Sequence, residues 1–132
     1  MVTIREIDSN LSKDCFLLDS KSIKLWSFKQ WEDQLKKKDV KAFAIFDQEM
    51  FLGVCVCEIV LDEAELNFMA IQPKFTRKGL GHILLTKLLN VLKRDNIKKI
   101  FLEVSAKNIP AMKFYKAFGF KTINIRKNYY QD

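Results

Sequence analysis

The spacing of apolar residues changes along the chain, and the changes mark out its elements. "VTIREI" near the start alternates and predicts a strand. From Asp8 to Lys38 the pattern turns helical: Leu11, Cys15 and Leu18, then Trp31 and Leu35, fit a 3.6-residue period. Between Lys41 and Leu61, two runs rich in Phe, Val, Ile and Cys flank "DQEM", a hairpin pattern, and "AELNFMAI" supplies a further strand. Gln72 and Pro73 break that strand. Leu80, Ile83, Leu84, Leu88, Val91 and Leu92 then recur at helical spacing up to Asp95. "KKIFLEVSA" reads as a short buried strand, Asn108 and Pro110 open a helix that Gly119 stops, and "FKTINI" is the last strand. This order predicts an α/β (α+β) fold: a mixed central sheet flanked by helices, parallel wherever a helix crosses over, in a single domain over residues 1–132.

Composition narrows the setting. Of the 132 residues 48% are apolar, with eleven Phe, enough for one packed core. No apolar run approaches the roughly 18 to 20 residues of a membrane span, and "MVTIREIDSN" lacks the basic start and apolar middle of a secretion signal, so a cytoplasmic protein is expected. The three cysteines fit that setting: Cys55 and Cys57 lie two apart in a strand, sharing a face in parallel, which does not favour a disulfide. With His82 as the single histidine, buried core thiols are the expectation and no metal site is. Charge is uneven: nine Lys and Arg face thirteen acids up to Gln72, against fourteen and three from Pro73 onward. A basic half suits an anionic ligand, although a solvated lysine-rich surface accounts for much of it.

The basic half contains "KFTRKGLGHILL", Lys74 to Leu85. Glycines and cations ahead of an apolar helix suggest a seat for an anion, because a helix start offers unpaired N–H groups and partial positive charge. A Walker A loop needs Gly-Lys-Ser/Thr at its end, which neither glycine provides. A dinucleotide fingerprint needs a third glycine where Leu84 stands, and in a first strand-to-helix turn, whereas this loop follows four strands. "TRKGLG" resembles instead the acetyl-CoA loop of the Gcn5-related N-acetyltransferases, with Thr76 in place of the leading Gln or Arg. Its company sharpens the likeness. "LNFMAIQPKFTRKGLG", "LEVSAKNIPAMKFYKAFGF" and "IRKNYY", over Leu66 to Tyr130, resemble the ribosomal-protein-alanine N-acetyltransferases of the RimI type, and "LWSFKQWEDQL" extends the likeness to Leu25.

The resemblance implies a GNAT-type, mostly antiparallel sheet and transfer of an acetyl group from acetyl-CoA to an amine. It implies that the pantetheine arm runs along Met69, Ala70 and Ile71, and that backbone N–H groups of Arg77, Lys78, Gly79, Leu80, Gly81 and His82 meet the pyrophosphate. The family's general base falls on Glu103, which alternation puts on the face of Phe101 and Ser105, opposite Ile100, Leu102 and Val104. Without the family, an ion-paired structural carboxylate is the plainer reading of that residue. Asn108, Ala111, Tyr115 and Phe118 share one helical face, so Asn108 and Tyr115 can address the same CoA arm, with Tyr115 as the acid and a core tyrosine as the plain alternative.

The chemistry favours an α-amine. With a pKa of about 7.7 to 8.0, roughly one α-amine in ten is neutral at pH 7, against about one Lys in a few thousand. A phenol of pKa about 10 protonates a thiolate of about 8.5 uphill by roughly 2 kcal/mol, so Tyr115 is expected to act by hydrogen bonding as the thiolate forms. The implied partners are acetyl-CoA and a protein N-terminus, that of a ribosomal protein above all, with neither membrane nor direct nucleic-acid binding. Two other readings stand beside this: a polyamine-type acetyltransferase of the same fold, and a noncatalytic RNA- or ribosome-binding module using the basic half. In the resembling family one more strand, after the "NYY" run, inserts between "KKIFLEV" and "FKTINI"; the sequence ends at Asp132, ahead of it. An incomplete sheet beside residues 101–105 is therefore expected, with a weakened acceptor groove. The chain would be truncated, or the two strands close up, or a second molecule donates an edge; the protein is then a monomer, or a dimer if a strand is exchanged.

Overall fold

The computed structural model describes residues 1–105, 108–120 and 124–126. Strand β1 (Val2–Ile7) leads through a 3-10 turn (Ser9–Leu11) to helices α1 (Ser12–Ser20) and α2 (Phe28–Lys36). Strands β2 (Val40–Asp47), β3 (Met50–Val60) and β4 (Glu63–Ile71) follow, then α3 (Leu80–Arg94), β5 (Lys99–Ser105), α4 (Ile109–Ala117) and β6 (Asn124–Arg126). The strands lie side by side in chain order. Two-residue turns, each opening on a positive-φ residue (Gln48, Leu61), join β2 to β3 and β3 to β4, so these pair antiparallel, as β1 does with β2. Helices α3 and α4 carry the chain across the sheet, so β4 with β5 and β5 with β6 are parallel.

The central strands are buried on both faces, which is why they read as nearly continuous apolar runs rather than strict alternation. Under α1 and α2, Cys15, Leu18 and Trp31 pack on Ala44, Val54, Val56 and Phe68. Under α3, Leu84, Leu85, Leu88 and Leu92 pack on Ile45, Cys55, Cys57, Leu66 and Leu102. Ile83, expected in that stripe, is 42% exposed: the buried line of α3 runs through Leu80, Leu84, Leu88 and Val91, and Ile83 falls to its side. Helix α2 opens with a reciprocal capping box. The Ser27 hydroxyl accepts from the Gln30 N–H at 3.1 Å, and the Gln30 side chain accepts from the Ser27 N–H at 2.9 Å.

Strand β4 forms the hinge of the architecture. Val56 faces Phe68 while Cys57 faces Leu66, so Asn67 is an extra residue bulged out of β4. Its pairing with β5 runs from Glu63 with Lys99 to Leu66 with Leu102 and goes no further among the described residues. Beyond that point β5 turns to β6, pairing Glu103 with Asn124, Val104 with Ile125 and Ser105 with Arg126. Of the arrangements expected at this edge, the chain has the one in which the two strands close up. The "NYY" run lies outside the described residues.

Candidate functional site

The wedge that opens where β4 and β5 part is built from the sequence outward. Pro73 ends β4 and starts a 3-10 turn (Pro73–Phe75), across which the Thr76 hydroxyl donates to the Pro73 carbonyl at 3.2 Å. Arg77 and Gly79 both take left-handed φ angles, 65° and 79°, and α3 begins at Leu80. A Cβ on Gly79 would meet nothing within 4 Å, so there the backbone, rather than lack of room, asks for glycine. A Cβ on Gly81 would only make ordinary contact with Met69 Cε at 3.4 Å and Phe114 Cζ at 3.5 Å, side chains from β4 and α4 that meet over this glycine. No side chain caps α3 and no acid stands in its first turn; its first closing bond is Ile83 N–H to the Gly79 carbonyl at 3.1 Å. The N–H groups of Gly79, Leu80, Gly81 and His82 thus have no acceptor within the helix.

These groups open onto a groove of about 580 Å³ whose walls include Met69, Ala70 and Ile71 on one side and Phe114 and Tyr115 on the other. Arg77, Gly79, Leu80, Gly81 and His82 line its mouth. Lys78 and Asn108 are not among its walls; the Lys78 ammonium sits 6.0 Å above the Phe75 ring. His82 packs its ring 4.7 Å from that of Phe118, with Nδ1 3.5 Å from the Thr86 hydroxyl, so the imidazole ties α3 to α4.

Through Met69, Ala111 and Tyr115 the groove meets a second, small hollow of about 50 Å³. Glu103, Asn108, Asn67, Phe68 and Ile23 line this hollow. The alternation of β5 comes out as expected, with Leu102 and Val104 buried and Phe101 42% exposed on the other face. Glu103 is half-buried rather than enclosed, and it faces a cavity rather than packed aromatic bulk. Asn108 caps α4, its Oδ1 accepting from the Ala111 N–H at 3.2 Å. Tyr115 is held by the stop of the same helix. Phe120 N–H donates to the Tyr115 carbonyl at 3.2 Å, Gly119 N–H to that of Lys116 at 2.9 Å, and the Tyr115 and Phe120 rings meet edge-on at 5.8 Å, a Schellman motif that needs the left-handed Gly119.

The structure therefore gathers Glu103, Asn108 and Tyr115 around the hollow, and Met69 to Ile71 with the glycine turn around the groove, with Tyr115 common to both. The thiols are no part of it: all three are buried and free, and burial pushes Cys57 up to about 11, Cys15 to about 12 and Cys55 higher still. Among the described residues, no three His, Cys, Asp or Glu side chains gather to hold a metal, and no helix is long and apolar enough to cross a membrane.

Sequence reasoning missed three contributors. The Asn67 bulge has one faint signal, a polar residue inside an apolar strand pattern. Gly53 has a better one, since glycine inside a strand marks close approach: a Cβ there would sit 2.5 Å from Ile71 Cδ1 and 2.7 Å from the Ala70 carbonyl, in the stretch of β4 that walls the groove. Ile23 reaches the hollow from the α1–α2 connection, where no periodicity operates.

The acetyltransferase (GNAT) family profile matches residues 9–120. A [ribosomal protein bS18]-alanine N-acetyltransferase of Haemophilus ducreyi is 40% identical over 84 residues, 64% of this chain and 58% of that protein. A protein of the same name from Haemophilus influenzae is 34% identical over 105 residues, 80% of this chain and 70% of that one. The crystal structure of the ribosomal-protein-S18-alanine N-acetyltransferase from Escherichia coli superposes with a TM-score of 0.90 at 28% identity, covering 98% of this chain and 83% of that one. The matched stretch spans 51% to 60% of the length of several such relatives. Loop, splayed strands and profile agree, and the chain belongs to the GNAT family of acetyltransferases.

Proposed function

We propose that residues 1–132 act as one acetyltransferase domain that moves the acetyl group of acetyl-CoA to the N-terminal α-amine of a protein, with the N-terminal alanine of a ribosomal protein as acceptor. The observation that carries this reading is the junction at Tyr115: a long groove ending in an uncapped helix start meets a small hollow holding a carboxylate, with one phenol between them. The names of the relatives support the choice of acceptor. A cytoplasmic setting fits such a substrate.

The residues present fit acetyl-CoA. The open N–H groups from Gly79 to His82, with Arg77 and Lys78 beside them, suit a pyrophosphate, and Met69 to Ile71 offer a strand edge to an amide-bearing arm. When bound, acetyl-CoA supplies an acyl group activated as a thioester. Glu103 takes a proton from the amine onto a carboxylate oxygen, directly or through water, which matters most below the amine's own pKa of about 7.7 to 8.0. Tyr115, which lines both groove and hollow, serves as a hydrogen-bond donor to the departing sulfur, and Asn108 offers an amide N–H₂ from the helix start it caps. The polar roles thus divide across the hollow.

Thiol release from acetyl-CoA, measured with peptides bearing N-terminal alanine, with lysine peptides and with polyamines, tests the reading. Release with the alanine peptides above the others is expected. Preference for polyamines would replace the acceptor, and no release with any amine, alongside salt-sensitive RNA binding, would replace the activity.

A further inference from the structure

Asp19 is the one fully buried charged residue among the described residues, and the reaction outlined above does not use it. It stands in the last turn of α1 and organises the connection to α2 almost alone. Its Oδ1 accepts from the Leu25 N–H at 2.8 Å, and its Oδ2 from the Trp26 N–H at 2.8 Å and the Trp31 indole Nε1–H at 2.9 Å. Its main-chain carbonyl accepts from the N–H groups of Ser22 at 3.0 Å and Lys24 at 2.8 Å. Five donors from one connection and the following helix converge on one residue. They hold a path that includes Lys24 at a φ of 61°, a conformation that a non-glycine residue adopts only when its surroundings insist.

Two lines run from this anchor to the hollow. Along the chain, the strap between Ser22 and Trp26 carries Ile23, which lines the hollow together with Glu103 and Tyr115. Through space, the bonded Trp31 meets Trp26 edge-on at 4.8 Å and Phe68 edge-on at 4.9 Å, and Trp26 stacks on Phe68 at 6.3 Å. Phe68 follows the Asn67 bulge and is itself a wall of the hollow. Neither line runs through the glycine turn; the nearest approach to the groove is Ala70, one of its walls, which packs on the same cluster.

We infer that Asp19 is a positioning residue for the acceptor side of the site: its carboxylate fixes the strap and the Trp26–Trp31–Phe68 stack that shape the hollow, and through them sets acceptor affinity without bearing on acetyl-CoA. The inference rests on the hollow being where the amine is received. Asparagine at this position keeps one oxygen but turns an N–H₂ group toward N–H donors, so one or two of the three side-chain bonds are lost while volume is preserved.

The test compares Asp19→Asn and Trp31→Phe with the parent chain in thiol-release kinetics, varying acceptor peptide and acetyl-CoA separately. Trp31→Phe keeps a buried ring and both backbone bonds to the carboxylate, so it guards against simple unfolding of the first variant. The expected result is an acceptor KM raised about tenfold in Asp19→Asn and about threefold in Trp31→Phe, with the acetyl-CoA KM within twofold of the parent in both. A merely structural residue would lower kcat by loss of folded enzyme and leave both KM values alone, and that pattern overturns the inference. So does a parallel rise in both KM values. A parent chain that releases no thiol with any amine overturns the proposed function and, with it, this refinement.

Discussion

The helix that starts after Ser27 and the helix that starts after Gly79 are the same kind of element begun in opposite ways. At α2 the sequence closes its own end: a hydroxyl and an amide satisfy two N–H groups reciprocally, and Asn108 does similar work at α4. At α3 the chain spends two left-handed residues to bring a helix start to the mouth of a groove, then leaves that start without a side-chain cap or an acid. Leaving N–H groups without an acceptor costs stability, so a start built this way at a cavity points to an acceptor supplied from outside. The difference separates an end closed by its own side chains from an end left open at a groove.

Closing the open start breaks the comparison most directly. Asp is among the non-glycine residues that a left-handed backbone tolerates best, and Gly79→Asp places a carboxylate among the N–H groups. Calorimetry should show acetyl-CoA affinity lowered by at least about 100-fold, as expected for like charges a few ångströms apart near a protein surface, while the unfolding free energy changes by less than about 1 kcal/mol. Unchanged affinity would remove the anion role from α3.

The catalytic assignments predict the next effect in size, on turnover rather than affinity. Glu103→Gln should lower kcat by about 100-fold at pH 6.5 and by less at pH 9, because the amine is mostly neutral above a pKa of about 8 and needs no base. Tyr115→Phe should lower kcat about tenfold at every pH. If both variants keep full activity, the two residues are structural.

The converse of the first substitution sharpens the comparison. Ser27→Ala opens the closed start and should cost about 1 kcal/mol in denaturant unfolding, with acetyl-CoA affinity unmoved. An affinity change there would mean that the two helix starts are coupled and the contrast false.

A further effect should treat both starts alike. Each layer holds buried thiols whose folded values lie above the ordinary thiol, with Cys57 near 11 and Cys15 near 12. Their contribution to stability is whole below the unfolded value of about 9 and is lost as pH rises through the folded ones, because the unfolded chain ionises first. The denaturant midpoint should therefore fall between about pH 9 and 11, with the same slope in the parent, Gly79→Asp and Ser27→Ala.

Most of the fold was legible because its elements rest on local signals. Cys15, Leu18, Trp31 and Leu35 keep helical time, Leu84 to Leu92 do so more strongly, and Asn108 and Gly119 mark the ends of α4 by their chemistry. The glycine turn was legible for the same reason. What escaped depends on partners distant in sequence. The bulge at Asn67 exists only in the register of β4 against β3, and the direct pairing of β5 with β6 was one of several arrangements the sequence allowed. Asp19 looks like any polar residue on a helix until the donors of residues 25, 26 and 31 are seen to meet it.

The parting of β4 from β5 also leaves a stretch of strand backbone to be accounted for. Strand backbone without a partner is an adhesive, and among the described residues Asn67 to Ile71 have none on their β5 side, about 17 Å of template. On an outer strand it would invite polymerisation. Here the template lies inside the sheet, between β3 and β5 in strand order, along a groove walled on its other side by α4. The outer strand β1 meanwhile carries Arg5 and Glu6 in its middle, charges that discourage edge-to-edge pairing. The molecule thus keeps its stickiest backbone indoors and shows a charged edge to the crowd.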